Sequence, residues 1–206
     1  MNLRTRFVDL ISKYSSDQKY NLGCWNKVEN SYTSESRHYH DLSHIENMFE
    51  QLDYVKNEIE DMDAVCFSIF YHDIIYKVAR SDNELKSALI LERDLAPISF
   101  DQVSKCKLQI EATKNHERSQ FPDTNILLDL DLSILGADWE VYEEYTENVR
   151  KEFKIYPNFL YRKGRKKFLK TMLAKDQIFK TDYFTKRLEQ QAIKNLKREL
   201  ELLTTK

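Results

Sequence analysis

The stretch Ala64-Val65-Cys66-Phe67-Ser68-Ile69-Phe70-Tyr71-His72-Asp73 decides the fold, because its first eight residues are apolar on nearly every side of a helix. A helix without a polar face belongs in the centre of a protein, so this one predicts a buried core helix that delivers His72-Asp73 at its end. Asp61 to Asp63 supply acids suited to its start. Upstream, Leu42, Ile45, Met48, Phe49 and Leu52 recur every three or four residues behind Asp41, a residue placed to cap, which sets Arg37 to His40 at a helix entrance. Leu3, Phe7, Leu10, Ile11 and Tyr14 predict an N-terminal amphipathic helix, and Leu22, Trp25 and Val28 a second that runs into a polar loop from Asn30 to Ser36. Further periodic stretches span about 82–95, 101–115, 125–135, 138–154, 163–179 and 182–203, and Pro97, Pro122 and Pro157 fall between them. The expectation is an all-α, multi-helix bundle: one domain over residues 1–206, with 150–206 as a C-terminal helical extension.

Composition supports that class and excludes others. Three Gly and three Pro in 206 residues leave little turn chemistry for hairpins, a Rossmann unit or a phosphate-cradling loop. Lys+Arg 32 against Asp+Glu 34 gives a net charge of −2, so no global field draws the chain to nucleic acid or to an anionic membrane, and any anion site must be local. Cys24, Cys66 and Cys106 are odd in number and widely spaced, which supports neither a disulfide framework nor a cysteine zinc site. No stretch approaches the ~20 apolar residues of a membrane span, and Met1 is followed by no signal-like apolar run. The reading is a cytoplasmic protein without a membrane partner.

The chemistry-bearing residues concentrate near the core helix. All five histidines lie within the first 116 residues, and His38, His40, His44 and His72 gather around two helix ends. Imidazole and carboxylate side by side in His72-Asp73 suit a divalent first-row metal. Farther on, Asp129 and Asp131 stand inside the apolar run Ile126 to Leu135, and a carboxylate there is costly unless it finds a cation, a proton or several donors. The two cannot both face one ion from a regular helix, since positions two apart point to opposite sides. Arg37 and His44 flank His40 at near-helical spacing and could face the same pocket, Arg37 with a planar fork for phosphate oxygens.

The order His, His-Asp, distant Asp resembles the HD-domain superfamily of metal-dependent phosphohydrolases. Arg37-His38-Tyr39-His40, His44-Ile45, Tyr71 to Tyr76, Asn83-Glu84 with Ser87-Ala88, Thr113 with His116, and Leu128 to Leu132 with Leu135-Gly136 resemble more closely one bacterial subgroup, without an assigned substrate, and the likeness continues through Tyr161 and Gly164-Arg165. That resemblance implies one divalent ion, Mn, Fe, Co, Ni, Zn or Mg, held by His40, His72, Asp73 and a later aspartate, with Asp131 preferred and Asp129 its rival. It implies hydrolysis of a phosphate mono- or diester, nucleotide-like, by metal-activated water. Glu84 is the candidate acid or base, and is equally suited to complement a helix start. His44 and His116 would bind substrate phosphate. The rival function is a non-catalytic metal- or nucleotide-binding regulatory module.

Residues 150–175 hold ten Lys/Arg and one acid, Glu152, a local basic patch in a balanced chain. Gly164-Arg165, read as a helix start, would offer Arg165 and free N–H groups to a phosphate. Tyr156, Phe159, Tyr161 and Phe168 beside the patch could stack on a base, which leaves nucleic acid a weaker alternative partner to a small phosphorylated substrate. Phe184, Leu188, Ile193, Leu196, Leu200 and Leu203 give the last helix a face that suits bundle closure or a homodimer equally.

Overall fold

The computed structural model describes residues 2–205, Thr205 by its backbone alone, and among them the protein is all-α, without strands. Ten helices follow in order: α1 (Leu3–Ser12), α2 (Gln18–Tyr32), α3 (Leu42–Val55), α4 (Met62–Tyr71), α5 (Asn83–Leu95), α6 (Val103–Ala112), α7 (Pro122–Leu132), α8 (Trp139–Glu152), α9 (Asn158–Leu173) and α10 (Asp182–Thr205). No described helix is long and apolar enough to cross a membrane. The chain divides into two compact units, Met1–Leu127 and Leu128–Lys206, with the division inside α7.

In the first unit α4 is the central helix, packed on α1, α3, α5 and α6. Every side chain from Ala64 to Tyr71 is buried. Phe7 meets Phe70 edge-on at 5.0 Å between centroids, and Phe49 and Trp25 close on the same ring. Caps fix where the helices begin. Asp41 accepts the Ser43 N–H at 2.8 Å and Asp61 that of Ala64 at 3.0 Å, so α3 and α4 start where those acids predict. The buried carboxylate of Asp123 accepts the N–H groups of Glu60 and Asp61 at 2.9 and 3.0 Å, anchoring the entrance of α4. Burial pushes the thiols of Cys66 and Cys106 up to about 12, which keeps both as neutral packing groups.

The second unit is organised around α10, which packs on α9 and on a 3-10 turn at Ser133–Gly136. Asn195 donates to the carbonyls of Leu135 and Ala137, clamping that turn. Glu189 accepts the N–H groups of Ile178 and Phe179 and so shapes the approach to α10. Arg165, expected at a helix start facing phosphate, lies inside α9, because Pro157 sets that helix to begin at Asn158. Its buried guanidinium forks onto Glu199 at 2.8 and 3.0 Å and donates to Tyr145 at 3.0 Å. Tyr142 donates to the same Glu199. A buried cation gripped by a carboxylate and a phenol is an internal brace, and the N–H groups at residues 164–165 lie beyond the helix's first turn, where backbone donors have intrahelical partners.

Gly136 is required by close approach. A Cβ there would lie 2.5 Å from the Cβ and 2.9 Å from the carbonyl oxygen of Leu188. Gly136→Ala is therefore expected to destabilise the protein by about 1–3 kcal/mol through overpacking, read as a lower urea midpoint.

Candidate metal centre

Four polar side chains of the first unit converge where α4 ends and α3 begins. His72 caps the C-terminus of α4, its N–H bonded to the Ser68 carbonyl at 2.9 Å, and its ring is 1% exposed. Its Nδ1 lies 2.8 Å from the carbonyl oxygen of Ile69. A carbonyl only accepts, so Nδ1 carries a proton, and in the neutral form of the ring the lone pair is on Nε2. That Nε2 faces Asp73 Oδ2 at 3.4 Å and His44 Nε2 at 3.2 Å. Asp73 Oδ2 in turn lies 3.9 Å from His40 Nε2.

A neutral imidazole nitrogen and a carboxylate oxygen are both acceptors, so their facing each other calls for a proton or a metal cation between them. Two ligand atoms each about 2.1 Å from one ion are separated by about 3.0 Å at right angles and about 3.4 Å at the tetrahedral angle. The spans from His72 to His44 and to Asp73 fall in that range. A second ring nitrogen donating to a backbone carbonyl is also the usual support of a metal-binding histidine. Each of these two pairs, imidazole with imidazole and imidazole with carboxylate, is of a type and spacing fit for a divalent first-row cation.

The two upstream histidines differ. His44 lies in the first turn of α3, buried, with its Nε2 against that of His72. His40 is 19% exposed, stacks on Tyr76 at 3.9 Å between centroids, and lies 3.9 Å from Asp73 Oδ2. The geometry therefore favours His44 beside His72, where the resemblance had assigned His40 as ligand and His44 to substrate. Arg37 is buried and donates to the carbonyls of His40 at 2.8 Å and Ile74 at 3.1 Å, with its guanidinium 4.7 Å from the Tyr32 ring centre. Expected as a phosphate fork, it ties the segment carrying His40 to the segment following Asp73.

Three further groups hold Asp73 in place, and the sequence reading assigned none of them a role. The Tyr32 hydroxyl accepts the Asp73 N–H at 3.1 Å. Ser87 accepts the N–H of Ile75 at 3.1 Å and donates to its carbonyl at 3.3 Å, while Asn83 makes the same two bonds with Lys77, each at 3.1 Å. Asn83 and Ser87 are four apart on α5, so one helix face grips the segment after His72-Asp73 at two points. That i, i+4 polar pair was visible in the sequence as a signal, although nothing there told what it would hold.

The remaining expected residues lie as follows. Glu84 is half-buried in the first turn of α5, where it also complements the helix dipole. His116, beyond the end of α6, has a left-handed backbone with φ 49°, a conformation that His, Asn and Asp tolerate better than most, and its ring is half-buried. Asp129 is completely buried and accepts four hydrogen bonds within its own unit, from the N–H of Lys180 to each oxygen and from the N–H and hydroxyl of Thr181 at 2.7 and 2.8 Å. Burial raises its pKa against the pull of these donors and the Lys180 ammonium at 3.8 Å. Asp129 is therefore the carboxylate satisfied by donors, tying α7 to the start of α10. Asp131 is half-buried at the end of α7.

Comparison with family models, with curated proteins and with solved structures gives no match.

Removing the α5 grip tests its importance for Asp73. In Asn83→Ala the amide of Lys77 is expected to exchange its hydrogen about fivefold faster or more, because a bond worth about 1 kcal/mol or more is lost, while amides in the core of α4 keep their protection.

Proposed function

We propose that the protein is a metal-dependent phosphohydrolase of the HD type, with one divalent cation on His44, His72 and Asp73 and with Asp131 as its further carboxylate ligand. The observation that carries this reading is the placement of His72 Nε2, 3.4 Å from the Asp73 carboxylate and 3.2 Å from His44 Nε2, with Nδ1 on the Ile69 carbonyl. Asp131 is preferred over Asp129 because both oxygens of Asp129 are committed to Lys180 and Thr181. Resemblance to the superfamily supplies the reaction class and, for Asp131, the position.

A divalent cation so held would lower the pKa of water toward neutrality and offset charge on a phosphoryl oxygen. The chain's own groups do the rest. Asp73, braced by the Tyr32 hydroxyl and by the Ser87 grip on Ile75, keeps its oxygen toward His72. His40, more exposed than His44 and held by its stack on Tyr76 and by Arg37 on its carbonyl, is positioned to protonate a leaving oxygen. Glu84 is the proposed acceptor of the water proton. The substrate is a small phosphate ester, nucleotide-like, and the protein is proposed to act in the cytoplasm.

The test separates ligands from proton carriers. Wild type is expected to bind one equivalent of Mn by calorimetry and to hydrolyse at least one member of a panel of nucleotide and sugar phosphates. His72→Ala and Asp73→Ala should lose both properties, and His44→Ala should weaken Mn binding about 10-fold or more. His40→Ala should retain Mn and lower kcat by about 100-fold or more. Mn bound without turnover of any ester would instead make the chain a metal-binding module, and unchanged Mn affinity in both His44→Ala and His72→Ala would refute the site.

A further inference from the structure

The basic segment of the second unit separates into two classes of residue. Its arginines are engaged inside the protein: Arg150 donates to the carbonyls of Phe153 and Tyr156 and to Asn158, Arg162 to the carbonyl of Leu203, and Arg165 to Glu199. Lys163, Lys166, Lys167 and Lys170 behave differently. They recur on α9 at three- and four-residue spacing, so they share one face, and they line a depression of about 500 Å³ with Thr171 and Ala174. Among the described residues no carboxylate lies within ion-pair distance of any of the four.

The same face carries apolar surface at its N-terminal end. Phe159 is 69% exposed and stands four residues before Lys163, Leu160 is 45% exposed and stands three before it, and Ile155, 61% exposed, ends the 3-10 turn that precedes the helix. The opposite face of α9, Arg165, Leu169 and Met172, is buried, so the helix is seated and its lysine face is turned outward.

We propose that this face docks on an anionic lipid bilayer, with Ile155, Phe159 and Leu160 at the acyl boundary and the four lysines among the headgroups. Charge complementarity selects a polyanion, and two observations select a bilayer over a single-stranded nucleic acid. Two of the three exposed apolar side chains are aliphatic, which gain from acyl burial and offer no ring for a base. All four outward cations are lysines, point charges suited to a smeared field, whereas the planar forks that read individual phosphates are engaged internally. The chain's net charge of −2 does not oppose this, because screening confines the relevant field to about 8–10 Å and the four lysines span about 10 Å of helix.

The experiment is co-sedimentation of the full chain with vesicles of phosphatidylcholine alone or with 30 mol% phosphatidylglycerol, beside a 20-nucleotide oligouridylate. Binding to the anionic vesicles is expected to exceed binding to neutral ones at least tenfold and to collapse in 0.5 M salt. Each Lys→Gln change among the four should lower partitioning about fivefold. Phe159→Ser with Leu160→Ser should weaken vesicle binding with unchanged charge, and circular dichroism checks that every variant keeps its helices. Equal partitioning to both vesicle types, or oligouridylate binding without vesicle preference, would overturn the proposal; the latter would assign the face to nucleic acid.

Discussion

One hydrogen bond sets the geometry of the proposed centre: the Ile69 carbonyl holds the Nδ1 proton of His72 and thereby turns Nε2 toward Asp73 and His44. That bond depends on α4 ending at Tyr71, and α4 ends there with residues Ala64 to Tyr71 buried and the helix packed on α1, α3, α5 and α6. The core helix is therefore both the centre of packing in the first unit and the arm that presents His72 and Asp73. Its beginning is fixed by Asp61 and Asp123, and the segment after its end by Asn83 and Ser87 on α5. Little freedom remains for His72 or Asp73 between those anchors.

The same economy of donors explains the buried acids of the second unit. Asp129 closes the start of α10 on α7 through Lys180 and Thr181, and Glu199 neutralises Arg165 inside a shell of Tyr142 and Tyr145. Neither pair leaves its charged group in apolar surroundings without donors, which is the condition for burying it at all. The arginines of the basic segment are consumed by this internal work, and the lysines of α9 remain as its outward charge.

Much of the fold was legible because helix periodicity and caps are local signals. The apolar run at 64–71, Asp41 and Asp61 as caps, and the starts of α5 and α10 all follow from residue types within one or two turns. The start of α9 was not, because Pro157 was read as a separator lying well before a helix at 163, when it directly precedes Asn158. Convergence of histidines near His72 was legible, as was the conflict between Asp129 and Asp131. Which histidine sits against His72 was not, since His40 and His44 differ by one helical turn and the entrance of α3 must be known to orient them. The roles of Arg37 and Arg165 were equally hidden, because a guanidinium bound to carbonyls or to a buried carboxylate has the same sequence signature as one that awaits a phosphate.

The most direct test of the central claim is nitrogen NMR of histidine-labelled protein titrated with Zn. The account predicts that the neutral form of His72 carries its proton on Nδ1, and that its Nε2 and the Nε2 of His44 shift together and saturate at one equivalent while the Nδ1 proton of His72 persists. A His72 protonated on Nε2 alone, or Nε2 resonances indifferent to Zn, would contradict it.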